Sequence, residues 1–509
     1  MPPAAKVSVK IASCNALLLL FLWPAIYNGQ PLFSPDTSAY IRGFDAGVVW
    51  LSGRTSPWTT WASSLADRQR EPDDATVSLQ SPKFIIAGRS TSYGALLYLG
   101  ELLGGLWASV AIQAAAVLIA LSLTLKHLKL FSWPKFVLTA GALGLVSSLP
   151  FVASFLLPDV FAGLAILAAA NLLVLGDRLM RWEWVFWVSI LGAAVVFHPT
   201  HIAIVVALLI VAVIARLLTK KISVVGILSL GFAAGIGFAS EIGFALVVEK
   251  LLGVHVSRPP VILARVIADG PGAAYLREKC PQAGLVVCEF VDRLMPNPDA
   301  FLWNTPDSNG VYESASIDKR QKMGNEQYRF AAAVLAYDPW GQIAAGLNDA
   351  FQQLKMTGLS DFIGGAEPAK LPSAHAERMA KSPIWKKDFP IAIFSAVTIF
   401  AAAVSLIFVG ITLIVHWNTV STEIKIFCFV MLLGQISNAL ICGTLSGPHE
   451  RYQARLAWLL PVAALLLTYD RRVRSAQRRS AVYSVTDWTL AGYRTSRGFE
   501  DSLRKAGLP

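Results

Sequence analysis

Runs of about 20 apolar residues recur along this chain, and that length is what crosses the hydrocarbon of a bilayer as a helix. Inside lipid each backbone N–H and C=O must find a partner within the chain, so a run of this kind is held to α-helix. The runs fall at roughly 11–28, 106–125, 136–157, 159–176, 183–198, 201–217, 223–248, 389–415, 425–445 and 455–469. Composition agrees. Of 509 residues, 55% are hydrophobic and 15% charged, against about 25% charged in soluble domains. The mean hydropathy is +0.53. The expected fold is an all-α polytopic membrane protein with about ten transmembrane helices.

The net charge of +11 does not point to nucleic acid here. Lys and Arg gather at alternate span ends, as cytoplasmic loops require. Lys126, Lys129, Lys135, Arg178, Arg181, Lys220 and Lys221 mark one side, together with the Arg-rich tail 470–509. Both termini are then expected in the cytoplasm. Four regions follow: a membrane core over 1–248 with a first outer loop at 29–105, a small and mostly helical extracytoplasmic cap over 249–388, spans over 389–469, and the basic cytoplasmic tail. The stretch Tyr93–Gly105 is apolar but short, and reads as an interfacial helix or an extension of the second span. Cys280 and Cys288 lie in the polar segment, where an oxidising compartment favours a disulfide. Cys14, Cys428 and Cys442 lie in apolar runs and read as small core residues.

This topology collects ionisable groups at one membrane depth. Asp36 follows the first span in "PLFSPDTSAY", with Tyr40 and Arg42 beyond it. Asp159 opens the fourth span after Pro158. His198 and His201 stand at the turn in "FHPTH", and "GPHERYQAR" supplies His449, Arg451, Tyr452 and Arg455. Glu241 sits in the outer half of the seventh span. Each is costly against lipid and normally faces a cavity or a partner. Bland readings exist for each: Asp36 and Asp159 suit helix N-caps, and the arginines could snorkel to headgroups. The His198/His201 spacing lacks a visible third ligand, so no metal centre is assigned. Together, a carboxylate can act as general base on a hydroxyl, and guanidinium groups suit a phosphate.

These residues and their order resemble the GT-C superfamily of polytopic glycosyltransferases, over about two-thirds of the chain. The matching features are Pro31, Asp36 and Tyr40 in the first outer loop, Pro158–Asp159 at an outer helix start, and Arg451, Tyr452 and Pro461 late in the chain. Thr37 stands where many members carry a second acid. The chain is also similar to polytopic membrane proteins of alphaproteobacteria. The resemblance implies a bacterial inner (plasma) membrane enzyme moving a sugar from a polyprenyl-phosphate donor to an envelope glycan, lipid or protein acceptor. Asp36 would be the base, with Asp159 second; Arg451, Arg455 and Tyr452 would hold the donor phosphate. Tyr40, Arg42, His198, His201, Glu241 and His449 would line the cavity. No cofactor is implied, and a divalent metal stays open. A transporter or lipid flippase for envelope precursors is an alternative, although inverted repeats and mid-depth charges are not visible. A non-catalytic envelope assembly protein is another.

Overall fold

A computed structural model describes residues 3–60, 85–86, 89–253, 256–304 and 310–471. The regular structure of the described chain is helical apart from short backbone pairings, one of which joins Ile85–Ile86 in parallel to Val256–Ser257. The basic tail expected over 470–509 lies outside the described residues from position 472 onward.

Among the described residues, six helices are long and apolar enough to cross a membrane: Leu106–His127, Asp159–Arg178, Pro199–Thr219, Val224–Leu251, Ile391–Val415 and Thr422–Leu445. They match six of the expected spans to within a few residues. The others take different forms. The first is a helix Pro3–Phe21 followed by a short turn of helix Trp23–Asn28. The fifth is Arg181–Phe197, just 17 residues long. The tenth is a helix Glu450–Ala457 that is interrupted at Trp458 and resumes over 459–471.

The third expected span, 136–157, divides into helices Trp133–Val146 and Leu149–Ser154. Ser147 turns its hydroxyl back to the Leu143 carbonyl and accepts from the Leu149 amide. Ser148 donates to the Ala454 carbonyl at 2.5 Å. Pro150 has no amide proton to give a continuing helix. The chain then runs extended through Phe155, which is what lets it pair with another segment at the site. Tyr93–Gly105 is a separate helix, Thr91–Gly104, rather than an extension of the next one. Gly105 breaks the two with φ +72, a backbone region that favours glycine.

The Asp159–Leu175 helix is the centre of the bundle and is buried almost throughout. Its small residues allow close helix approach. Gly163 faces the Trp458 indole, and Ile166 fills the space against Gly434. Thr124 accepts from the Asn171 amide at 2.9 Å, which satisfies one polar group within the packed interior.

The 249–388 segment behaves as two parts. Residues 263–334 have their own apolar cluster, including Leu263, Leu276, Phe301 and Phe330, and carry the Cys280–Cys288 disulfide with Cα atoms 5.5 Å apart. Leu359, Phe362, Leu371 and Met379 instead join the main apolar core. Arg265 pairs with Asp269 within the first part and, at 2.6 Å, with Asp349 on the helix Pro339–Lys355. Burial pushes the Asp349 carboxyl up to about 6, with Arg265 opposing and Asp269 reinforcing the shift. Protonation is thus favoured in the folded chain. The stabilisation is complete below the ordinary value of 3.8 and is lost as pH rises through about 6. The melting temperature of the detergent-solubilised protein should fall as pH rises from about 5 to about 7, and Asp349→Asn should flatten that interval. An identical pH profile in the two proteins would contradict this.

Candidate functional site

Two distant proline–aspartate steps are brought together by backbone pairing. Leu32 forms a parallel bridge with Phe155: its amide donates to the Ser154 carbonyl, and the Leu156 amide donates to the Leu32 carbonyl, both at 2.9 Å. The Thr37 hydroxyl donates to the Leu156 carbonyl at 3.2 Å. Asp36 therefore lies beside the segment that leads into Pro158 and Asp159. Asp36 occupies the cap position of helix Thr37–Ser52 but makes no side-chain cap bond. Asp159 begins its own helix. Both carboxylates engage arginines instead.

The inner pair is Asp159 and Arg455, Nη1 to Oδ1 at 3.1 Å, with Arg455 only 1% exposed. Arg455 also donates to Asn438 Oδ1 at 2.7 Å and Thr200 Oγ1 at 3.4 Å, and its Nη2 lies 3.3 Å from Cys442 Sγ. A buried charge needs this much compensation. Four helices, opening at Asp159, Pro199 and Glu450 and closing at Leu445, thus converge on one guanidinium. His198 caps the Pro199 helix, its Nδ1 accepting from the Thr200 amide. His201 is buried, with Nδ1 2.9 Å from the Ala194 carbonyl oxygen, and its ring stands 5.3 Å from that of His198. His198 thus reaches Arg455 through Thr200, whereas His201 is held by Ala194.

The outer edge is more open. Asp36 Oδ1 and Arg89 Nη2 pair at 2.5 Å, with side chains 31% and 30% exposed. Arg451 Nε lies 3.9 Å from Asp159 Oδ2, outside hydrogen-bond distance. Its guanidinium sits over the Tyr452 ring at 5.2 Å, and that of Arg455 at 5.3 Å. The Tyr452 hydroxyl reaches Ser446. Tyr40 is buried beside these charges and stacks edge-on against Tyr93. Burial raises its pKa, with Arg89 opposing and Asp36 and Asp159 reinforcing, so it remains a phenol. Arg451 is likewise raised: burial opposes its charge, but Asp159, Tyr452 and Asp36 outweigh burial. These mutual influences place Asp36, Tyr40, Arg89, Asp159 and Arg451 in one electrostatic cluster.

His449 belongs to the same rim. Its Nε2 is 3.1 Å from Asp299 and its Nδ1 3.9 Å from Asp361, while the Arg451 amide donates to Asp361 at 2.9 Å. The sequence did not mark Arg89, Asp299, Asp361, Thr200 or Asn438. Glu241 stands apart from the cluster, paired with Arg258 at 2.6 Å. The Arg42 Nε donates within its own helix, to the Ser38 carbonyl at 3.4 Å.

One cavity, of about 390 Å³, lies at the opposite end of the helices, lined by Asp177, Arg178, Arg216, Lys220, Lys221 and Glu423 among others. The charged cluster is instead a packed group with a partly exposed edge. Among the described residues no set of three His, Cys, Asp or Glu is placed to hold a metal ion. No family model matches the chain, and no curated protein or solved structure matches it.

Proposed function

We propose that the chain is a GT-C-type membrane glycosyltransferase, taking a sugar from a polyprenyl-phosphate donor to an extracytoplasmic acceptor. The observation that carries this reading is the division of labour at the cluster. Arg455 is buried and held by Asp159 and Asn438 through its two terminal nitrogens, whereas Arg451 and Asp36 reach the partly exposed edge.

In this reading the donor phosphate lies against Arg451, whose planar fork suits phosphate oxygens. The acceptor hydroxyl lies at Asp36, which Arg89 orients. The hydroxyl oxygen bonds to the anomeric carbon as the carbon–phosphate-oxygen bond breaks. Asp36 takes the hydroxyl proton, and the phosphate leaves with the bonding electron pair, stabilised by Arg451. A single displacement inverts the anomeric centre. Asp159 then acts as a positioning residue, fixing Arg455 and the start of the helix that carries Arg451.

The test is release of polyprenyl phosphate from labelled polyprenyl-phosphate hexoses by the purified protein in nanodiscs, with envelope extract as acceptor. Release that depends on the extract supports the reading. Donor that is bound and moved across the bilayer without cleavage would favour a flippase, and donor that is not bound would favour an assembly role.

A further inference from the structure

The helix Pro339–Lys355 has three faces. Gly346, Asp349, Ala350 and Gln353 are buried, and they pack against the end of the Thr422–Leu445 helix. Gly443 comes close to the Asp349 backbone, and Thr444 lies 3.3 Å from where a side chain on Gly346 would begin. At 100° per residue, a second face carries Trp340, Ile343, Leu347, Phe351 and Leu354, all exposed, with Trp340 at 78% and Phe351 at 59%. A third face carries Asn348, Gln352 and Lys355, also exposed. Five large apolar side chains in one stripe are too many to leave to water without a partner.

We infer that this helix lies in the bilayer interface, with its apolar stripe sunk among the acyl chains of the leaflet at the charged-cluster end of the bundle. Three observations select lipid as the occupant. The stripe is borne by a helix seated directly on a membrane-crossing one, at Gly346 and Asp349 against Thr444 and Gly443, and that crossing helix itself exposes Leu440 and Leu445. A tryptophan stands at the start of the helix, the residue that favours the headgroup level. Lys355 Nζ folds over the Phe351 ring at 4.2 Å, so its stem covers apolar surface while its charge stays at the edge. An amphipathic helix with these features lies in the interface plane.

The seat also reaches the charged cluster. The Gln353 side chain donates to the His449 carbonyl at 2.8 Å and accepts from the His449 amide at 2.9 Å. His449 directly precedes the helix that bears Arg451 and Arg455. Lipid contact at the stripe thus fixes the height of the two arginines relative to the bilayer. This inference does not rest on the proposed transferase activity.

The experiment places a diazirine photo-amino acid at Phe351 or Leu347, with Gln352 or Asn348 as paired controls, in the full chain in phosphatidylethanolamine–phosphatidylglycerol nanodiscs. Mass spectrometry after irradiation reads the adducts. Lipid adducts at 351 and 347 should exceed those at 352 and 348 by about 10-fold, because only the stripe enters the acyl region. Equal lipid labelling within each pair, or adducts at 351 and 347 chiefly to a second copy or another protein, would overturn it. The two pairs are independent, so one misfolded variant leaves the other to decide.

Discussion

Replacing Arg455 by Met should cost about 3–5 kcal/mol of stability, because it strands a buried carboxylate. Asp159 is 4% exposed, and Arg455 is its closest cation, at 3.1 Å. Arg451, at 3.9 Å, is too distant to take over the hydrogen bond. Asn438 and Thr200 would lose a donor at the same time. The Asp159→Asn/Arg455→Met double variant should recover much of the loss, since a neutral amide needs no counter-charge. Chemical denaturation of the single and double variants measures the coupling. Additive losses would show that the two residues act separately.

Asp36→Asn should lower sugar transfer by about 10²–10⁴-fold, the range a positioned general base supplies. Its effect on stability should be small, within about 1 kcal/mol, because the Asp36–Arg89 pair is partly exposed and such pairs contribute little. The amide keeps the size and some of the hydrogen bonding to Arg89 but has no basic oxygen. Transfer assays set beside melting curves separate the two effects. Full transfer by a folded Asp36→Asn protein would remove Asp36 from the chemistry.

The long spans were legible because their apolar runs are unbroken. The Asp159–Leu175 helix is one such run, opening on a single proline–aspartate step. The 136–157 run was legible as apolar but not as broken. Leu, Val and Phe hide an extended turn as easily as a helix, and only Ser147, Ser148 and Pro150 hint at it. That turn matters most, since it lets Phe155 pair with Leu32 and so brings Asp36 towards Asp159. Arg89 was illegible as a partner for Asp36, because 53 residues separate them and no local spacing records the contact. Glu241 shows the converse. Its depth along a helix was readable, but its direction around the helix was not, and it points to Arg258. The apolar stripe of Pro339–Lys355 was present in the sequence as helical spacing, but which side was already covered by another helix required coordinates.

Binding of a long-chain polyprenyl phosphate, without sugar, tests the account most directly, because it asks whether the shared cluster recognises the phosphate. Titrated into nanodisc-embedded protein, it should bind Arg451→Ala about 10–100-fold more weakly than the native chain, as expected for a lost charge-assisted phosphate contact. Arg258→Ala, whose arginine pairs with Glu241 outside the cluster, should bind it like the native chain. Equal affinity for native and Arg451→Ala proteins, both folded, would contradict the account.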